Sequence, residues 1–241
     1  MDDYSRGWTL VWADEFDGAA GSAVDADHWT SEVGGGGWSH DELQYYRPEN
    51  AALDGQSHLA IVAQREAFDG CAYTSARLST HGHLALTYGR VEARIKLPRG
   101  QGLWPAFWMV GWPIGGEIDI MEQIGREPRL IHGTAHGPGF GYGGGQGIGR
   151  VCRLDHDFAD DFHVFAVDWD ADAIRWYVDG APYHQLTPAD LNGKRWIFDH
   201  DFYINLNVAV GGHWPGKPDA TTVFPQTMLV DYVRVSRFVG W

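Results

Sequence analysis

Basic side chains are scarce in this sequence: 18 lysines and arginines stand against 32 aspartates and glutamates, a formal net charge of −14. Nucleic acid and anionic membrane repel a chain of their own sign, so that balance argues against both as partners and fits a neutral one. Long apolar runs are missing, and no stretch of about 18 apolar residues exists to cross a bilayer. The opening Met1-Asp2-Asp3 lacks the basic start and apolar core of a secretory leader. Cysteine is limited to Cys71 and Cys152. They allow one disulfide, closing a loop of about 80 residues worth about 4–5 kcal/mol in an oxidising compartment, or two free thiols. Continuous helical periodicity is absent, and at most a turn is expected over 188–192. No composition break or Pro/Ser linker divides the 241 residues, so one domain spanning 1–241 is expected.

Short alternating segments and glycine-rich turns take the place of helices. Tyr88 to Leu97 alternates cleanly, with Arg90, Glu92, Arg94 and Lys96 on one side and Val91, Ala93, Ile95 and Leu97 on the other. One face is wet and one packed, as in an antiparallel sheet. Many such strands without a long helix predict an all-β, antiparallel β-sandwich. Twelve Trp and ten Tyr are a heavy aromatic load, and flat aromatic faces stack on sugar rings.

One stretch organises the rest: Gly115-Gly116-Glu117-Ile118-Asp119-Ile120-Met121-Glu122. In a strand, Glu117 and Asp119 share a face while Ile118 and Ile120 enter a core. Plain alternation then places Met121, not Glu122, with the acids. A one-residue β-bulge after Asp119 restores Glu122 to their face, and bulges are common beside active sites. Glu117 and Glu122 then sit roughly 13 Å apart at the backbone. Side chains reaching inward bring their carboxyls to on the order of 5–7 Å, which leans towards a retaining rather than an inverting glycosidase. Asp119, between them, is placed to share a proton with Glu117. A solvated acidic strand or a metal site is the competing reading.

Other segments supply candidate walls for a cleft. Trp38 follows four glycines, on a rim loop or packed at the sandwich edge. Trp104, Ala106 and Trp108 share one face of a strand, with Phe107 and Met109 opposite. Pro105 predicts that this strand lies at an edge or begins only after it. His132, Thr134 and His136 fall together. Asn205 and Asn207 alternate with apolar residues and need polar partners, Asn207 being the better sugar-binding candidate. Trp214 sits in a second rim loop. Gly139, Gly141 and Gly144 match a dinucleotide fingerprint, but no βαβ unit surrounds them, so residues 137–149 read as a mobile loop over the cleft. Asp168, Asp170 and Asp172 begin like a calcium-binding loop, yet Ala173 and Asp179 stand where glycine and glutamate are required, so an acidic hairpin turn is expected.

The sequence Gly116-Glu117-Ile118-Asp119-Ile120-Met121-Glu122 resembles the active-site signature of glycoside hydrolase family sixteen, in the bulged form of its laminarinase-like branch. Leu10-Val11-Trp12-Ala13-Asp14-Glu15-Phe16, Glu42-Leu43-Gln44-Tyr45-Tyr46, Tyr88-Gly89-Arg90-Val91-Glu92-Ala93-Arg94 and Val230-Asp231-Tyr232-Val233-Arg234-Val235 also look like family segments, so the likeness covers nearly the whole chain. It implies a curved jelly roll with a concave cleft. The implied activity is that of a retaining endo-β-1,3-glucanase, with Glu117 as nucleophile, Glu122 as acid/base and Asp119 between them. The resemblance also makes Arg77 a sugar contact, makes His136 an active-site histidine and supports placing Trp104 and Trp108 in the cleft. It implies a structural calcium, not a catalytic cofactor, at Glu15, the Gly55 carbonyl and Asp231. The expected partner is β-1,3-glucan, met by a secreted monomer whose leader has been removed.

Overall fold

Alternation becomes sheet where one face has somewhere dry to go. A computed structural model describes residues 7–38, 40–142 and 146–239. Two eight-stranded sheets pack face to face. The outer one runs Ala181–Leu186, Ile174–Val178, His163–Trp169, Gly89–Lys96, Gln226–Phe238, Leu59–Ala63, Ala51–Leu53, with Trp8–Asp14 also paired to Gln226–Phe238. The other contains, in order, Gly141–Tyr142, Leu130–Pro138 (the histidine strand), Glu117–Glu122 (the acidic strand), Leu103–Gly111 (the tryptophan strand), Phe202–Val210 (the asparagine strand), Arg77–Ser79 and Thr30–Glu32. Ile148–Arg153 pairs with the histidine strand. This is the expected all-β sandwich. Its long strands pair antiparallel; among the described residues only Gly141–Tyr142 with the end of the histidine strand, and the small sheet of Gln44–Tyr46 with Tyr73–Ser75, pair parallel. Among the described residues no helix is long and apolar enough to cross a membrane.

The core lies between the sheets. Val91, Ala93 and Ile95 enter it from the outer sheet, and Phe107, Met109, Ile204, Leu206 and Val208 from the other; each is fully buried. Burying a side chain of this size stabilises by about 1.5–3 kcal/mol, which is why the alternating pattern fixes register so firmly. Turns follow their chemistry. Asp170 Oδ1 accepts from the backbone N–H groups of Asp172 and Ala173, both at 2.8 Å, which confirms the acidic hairpin. The turn over 188–192 is a 3₁₀ segment, Pro188–Leu191.

Two expectations need correction. Cys71 and Cys152 are both free thiols. Cys71 sets its sulfur towards Gly35 while Cys152 sits on Ile148–Arg153 opposite Ile131, so their surroundings differ. Pro105 lies inside the tryptophan strand, paired to Val208. Its carbonyl accepts from Gln123 N–H on the side where the acidic strand has ended. Its nitrogen points the same way, where no ladder bond is required, so the ring costs nothing there. The segment over 137–149, expected as a mobile loop, has one end tied down. Gly137 and Phe140 exchange backbone hydrogen bonds at 2.6 and 2.9 Å, and Phe140 is 1 % exposed. The fingerprint glycine Gly144 lies outside the described residues.

Candidate active site

The bulge is where the acids required it. On one side Glu117 pairs with His136 and Asp119 with Thr134; on the other, Glu117 pairs with Val110 and Asp119 with Trp108. The register then slips, and Met121 faces Phe107, Glu122 faces Ala106 and Glu122 faces His132. Ile120 is the extra residue. Ile118, Ile120 and Met121 are all fully buried in the core, while Glu117 and Glu122 line the same cleft with Asp119 between them. A bulge leaves ladder groups without their regular partners. Here Trp176, arriving from the outer sheet, donates its indole N–H to the Asp119 carbonyl at 2.8 Å.

Burial sets the electrostatics. Asp119 is 2 % exposed. Desolvation, and next the neighbouring Glu117 carboxylate, hold its carboxyl well above the usual range. His136 Nε2 stands 3.0 Å from Asp119 Oδ2 and 3.8 Å from Glu117 Oε1. Glu122 is also pushed well up, first by desolvation and then by the charges of Asp119 and Glu117. Trp104 opposes that rise, its indole donating to Glu122 Oε1 at 2.9 Å. The site therefore sets two carboxyls with a raised affinity for protons beside a third, more accessible one, an arrangement suited to giving a proton and attacking in one event.

Two aromatic groups flank the acids. On one side Trp108 donates to Asn207 Oδ1 at 2.8 Å, and the Arg77 guanidinium lies 4.7 Å from the Trp108 ring and 4.9 Å from that of Trp38. Glu32 holds Arg77 at 2.8 Å. Trp38 is half-buried against Tyr46 and backs Arg77 without itself lining the cavity around the acids. On the other side Trp104 meets Trp214 edge-on at 5.3 Å, and Trp214 meets His132 at 4.9 Å. His132, Thr134 and His136 share the cleft face, as alternation required.

Sequence reasoning missed Glu42 and Tyr46. Glu42 Oε2 accepts from Gln44 Nε2 at 2.7 Å and from Tyr46 OH at 3.4 Å; Asn207 Nδ2 donates to the Tyr46 oxygen at 3.3 Å. A chain of polar groups thus runs from Glu42 to the Trp108 indole. Burial pushes the Glu42 carboxyl up. The alternation Glu42, Gln44, Tyr46 was the available signal.

The calcium reading fares less well. Glu15 binds Arg234 through both oxygens, at 2.7 and 2.8 Å, and Asp231 binds Arg94 at 2.6 Å. Gly55 turns the chain with φ +78°. Each carboxylate already answers an arginine, so these side chains do not offer the charge a hard cation takes. Ligand-type atoms do gather within 4.8 Å at Glu117, Asp119 and His136, inside the cleft.

A β-sandwich whose bulged strand presents carboxyls to an aromatic-walled cleft has the build of a glycoside-cleaving enzyme. The chain belongs to glycosyl hydrolases family 16, whose sequence profile matches residues 38–234. It is 42 % identical to a beta-glucanase of Rhodothermus marinus, over 98 % of this chain and 88 % of that one. The laminarinase catalytic domain of Thermotoga maritima superposes with a TM-score of 0.91 at 46 % identity, covering 98 % of this chain and 100 % of the other. The endo-β-1,3-glucanase of Pyrococcus furiosus gives 0.90 at 49 % identity, covering 97 % and 96 %.

Proposed function

We infer that this chain is a retaining endo-β-1,3-glucanase that cleaves internal linkages of a neutral glucan by double displacement. The observation that carries the mechanism is the bulge at Ile120, which puts Glu117, Asp119 and Glu122 on one cleft face. In the proposed sequence Glu117 attacks the anomeric carbon, and the C–O bond to the leaving sugar breaks as Glu122 gives that oxygen its proton. Glu122, now ionised, takes a proton from water, and the water oxygen displaces Glu117 from the glycosyl-enzyme. The raised affinity of Glu122 for a proton readies it as the acid of the first step. Asp119 and His136 surround the reacting carboxylate and steer its charge. Trp104, Trp108 and Trp214 offer ring faces to sugars; Arg77, His136 and Asn207 offer hydroxyl partners, with Trp38 holding Arg77 in place.

No metal takes part in these steps. A polymer of this kind is met outside the cell, so we propose a secreted, monomeric enzyme that works on β-1,3-glucan and not on nucleic acid or membranes. The test is reducing-end release from β-1,3-glucan, mixed-linkage glucan and agarose, with the wild type and Glu117→Gln. Fast loss of polymer length on β-1,3-glucan, reduced by about 10³-fold or more in the variant, is expected. Cleavage of agarose alone overturns the substrate but keeps the mechanism. Binding without hydrolysis makes the chain a glucan-binding module.

A further inference from the structure

His136 can serve Asp119 and Glu117 only if its ring is aimed, and the aim comes from behind. The edge of the imidazole turned away from the acids faces the glycine-rich segment. A Cβ built at Gly147 would lie 2.6 Å from His136 Cε1, 2.8 Å from His136 Nδ1 and 2.5 Å from Thr134 Cγ2. One built at Gly141 would lie 2.2 Å from His136 Nδ1. Carbon does not approach so closely, and a packed interior passes such a push on to its neighbours. Gly141 has φ +86°, so its backbone also favours glycine. Gly147 has no such φ, and its missing side chain answers to the space beside Thr134 and His136. Gly147 is held by Ile148–Arg153, which pairs with the histidine strand directly after it, and the Gly137–Phe140 contact directly precedes Gly141.

We propose that Gly141 and Gly147 together clamp the active-site histidine from behind, and that Gly147 is a positioning residue for hydrolysis. Its bare Cα lets the imidazole sit back far enough for Nε2 to meet Asp119 and Glu117. The proposal rests on the reading that these three groups carry the chemistry.

The test uses Gly147→Ala, Gly139→Ala, His136→Ala and the double variant His136→Ala/Gly147→Ala, each assayed for kcat and KM on β-1,3-glucan alongside its Tm. Wild-type hydrolysis is the check on the underlying reading; without it that reading fails first. Gly139 has φ +81° and its Cβ would meet only Lys194, at 3.7 Å, so Gly139→Ala strains the same segment without touching His136. Gly147→Ala is expected to lower kcat about 10–100-fold with KM changed less than about threefold. Gly139→Ala is expected to lose Tm and keep kcat. In the His136→Ala background Gly147→Ala should lower kcat no further, because the loss of kcat runs through the imidazole, while a push on Thr134 is read in Tm. Wild-type kcat in Gly147→Ala, or the same loss in both backgrounds, overturns the proposal. Should Gly147→Ala fail to fold, recovery in the double variant places the clash on the imidazole; continued failure places it on Thr134 and overturns the proposal.

Discussion

Asp119 is an acid the fold has to hold against its preference for water. Its carboxyl is raised by burial and by Glu117, so the folded chain keeps a proton that the unfolded chain releases above about pH 4. Above that pH the folded state binds more protons, and stability falls as pH rises towards the native titration. Asp119→Asn removes the cost. It should raise Tm at pH 7 by about 2–4 °C, with the gain gone near about pH 3, where both forms of the protein are protonated. Hydrolysis should drop by about 10²-fold in the same protein. Thermal melts across that pH range check it. A lower Tm at pH 7 would mean that His136, 3.0 Å away, stabilises the carboxylate more than burial penalises it. The three acids could be read from their residue types and spacing. The burial of Asp119 could not, because it depends on what the neighbouring strands lay over it.

At the scale of elements, the acidic strand shows what patterns reveal and what they hide. The bulge was legible because alternation left Glu122 on the wrong side of Met121, and only an inserted residue reconciles the two. The tryptophan strand was half legible: the faces of Trp104, Trp108, Phe107 and Met109 follow alternation, while Pro105 misled because the end of the neighbouring strand is set by tertiary pairing. Trp176 was not legible at all. Its role is a hydrogen bond to Asp119, 57 residues earlier in the chain, and periodicity marks it only as buried. Trp176→Phe keeps a ring of similar character but strands the Asp119 carbonyl in the core. An unpaired buried acceptor costs about 1–3 kcal/mol, so a Tm lower by several degrees is expected. Hydrolysis by the still-folded fraction should fall too, since the bulge loses the contact that pins it. Unchanged kcat with lowered Tm would show that the ladders alone hold the bulge.

For the whole molecule, the question is what closes a sandwich of this size. The extended core joins both sheets without a covalent brace, and the two thiols stand in different surroundings. Cys71 belongs to a short turn whose backbone is bonded to Phe68, and Cys152 to a strand beside the cleft, where burial pushes its thiol up. Charge tells the same story of local closure. Arg77, Arg90, Arg94 and Arg234 each pair with an acid on a neighbouring segment, so the net −14 is carried without leaving those cations for a charged substrate. A disulfide across about 80 residues would be worth about 4–5 kcal/mol, roughly 8–20 °C in a chain of this length. The free thiols predict instead that oxidised and reduced preparations melt within about 1 °C of each other, by calorimetry with and without reductant. A drop of many degrees on reduction would mean that Cys71 and Cys152 do join, and that the loop carrying Cys71 must travel to meet its partner. Equal melting assigns the stability to the packed sheets, whose alternation was the part of the fold most plainly written in the chain.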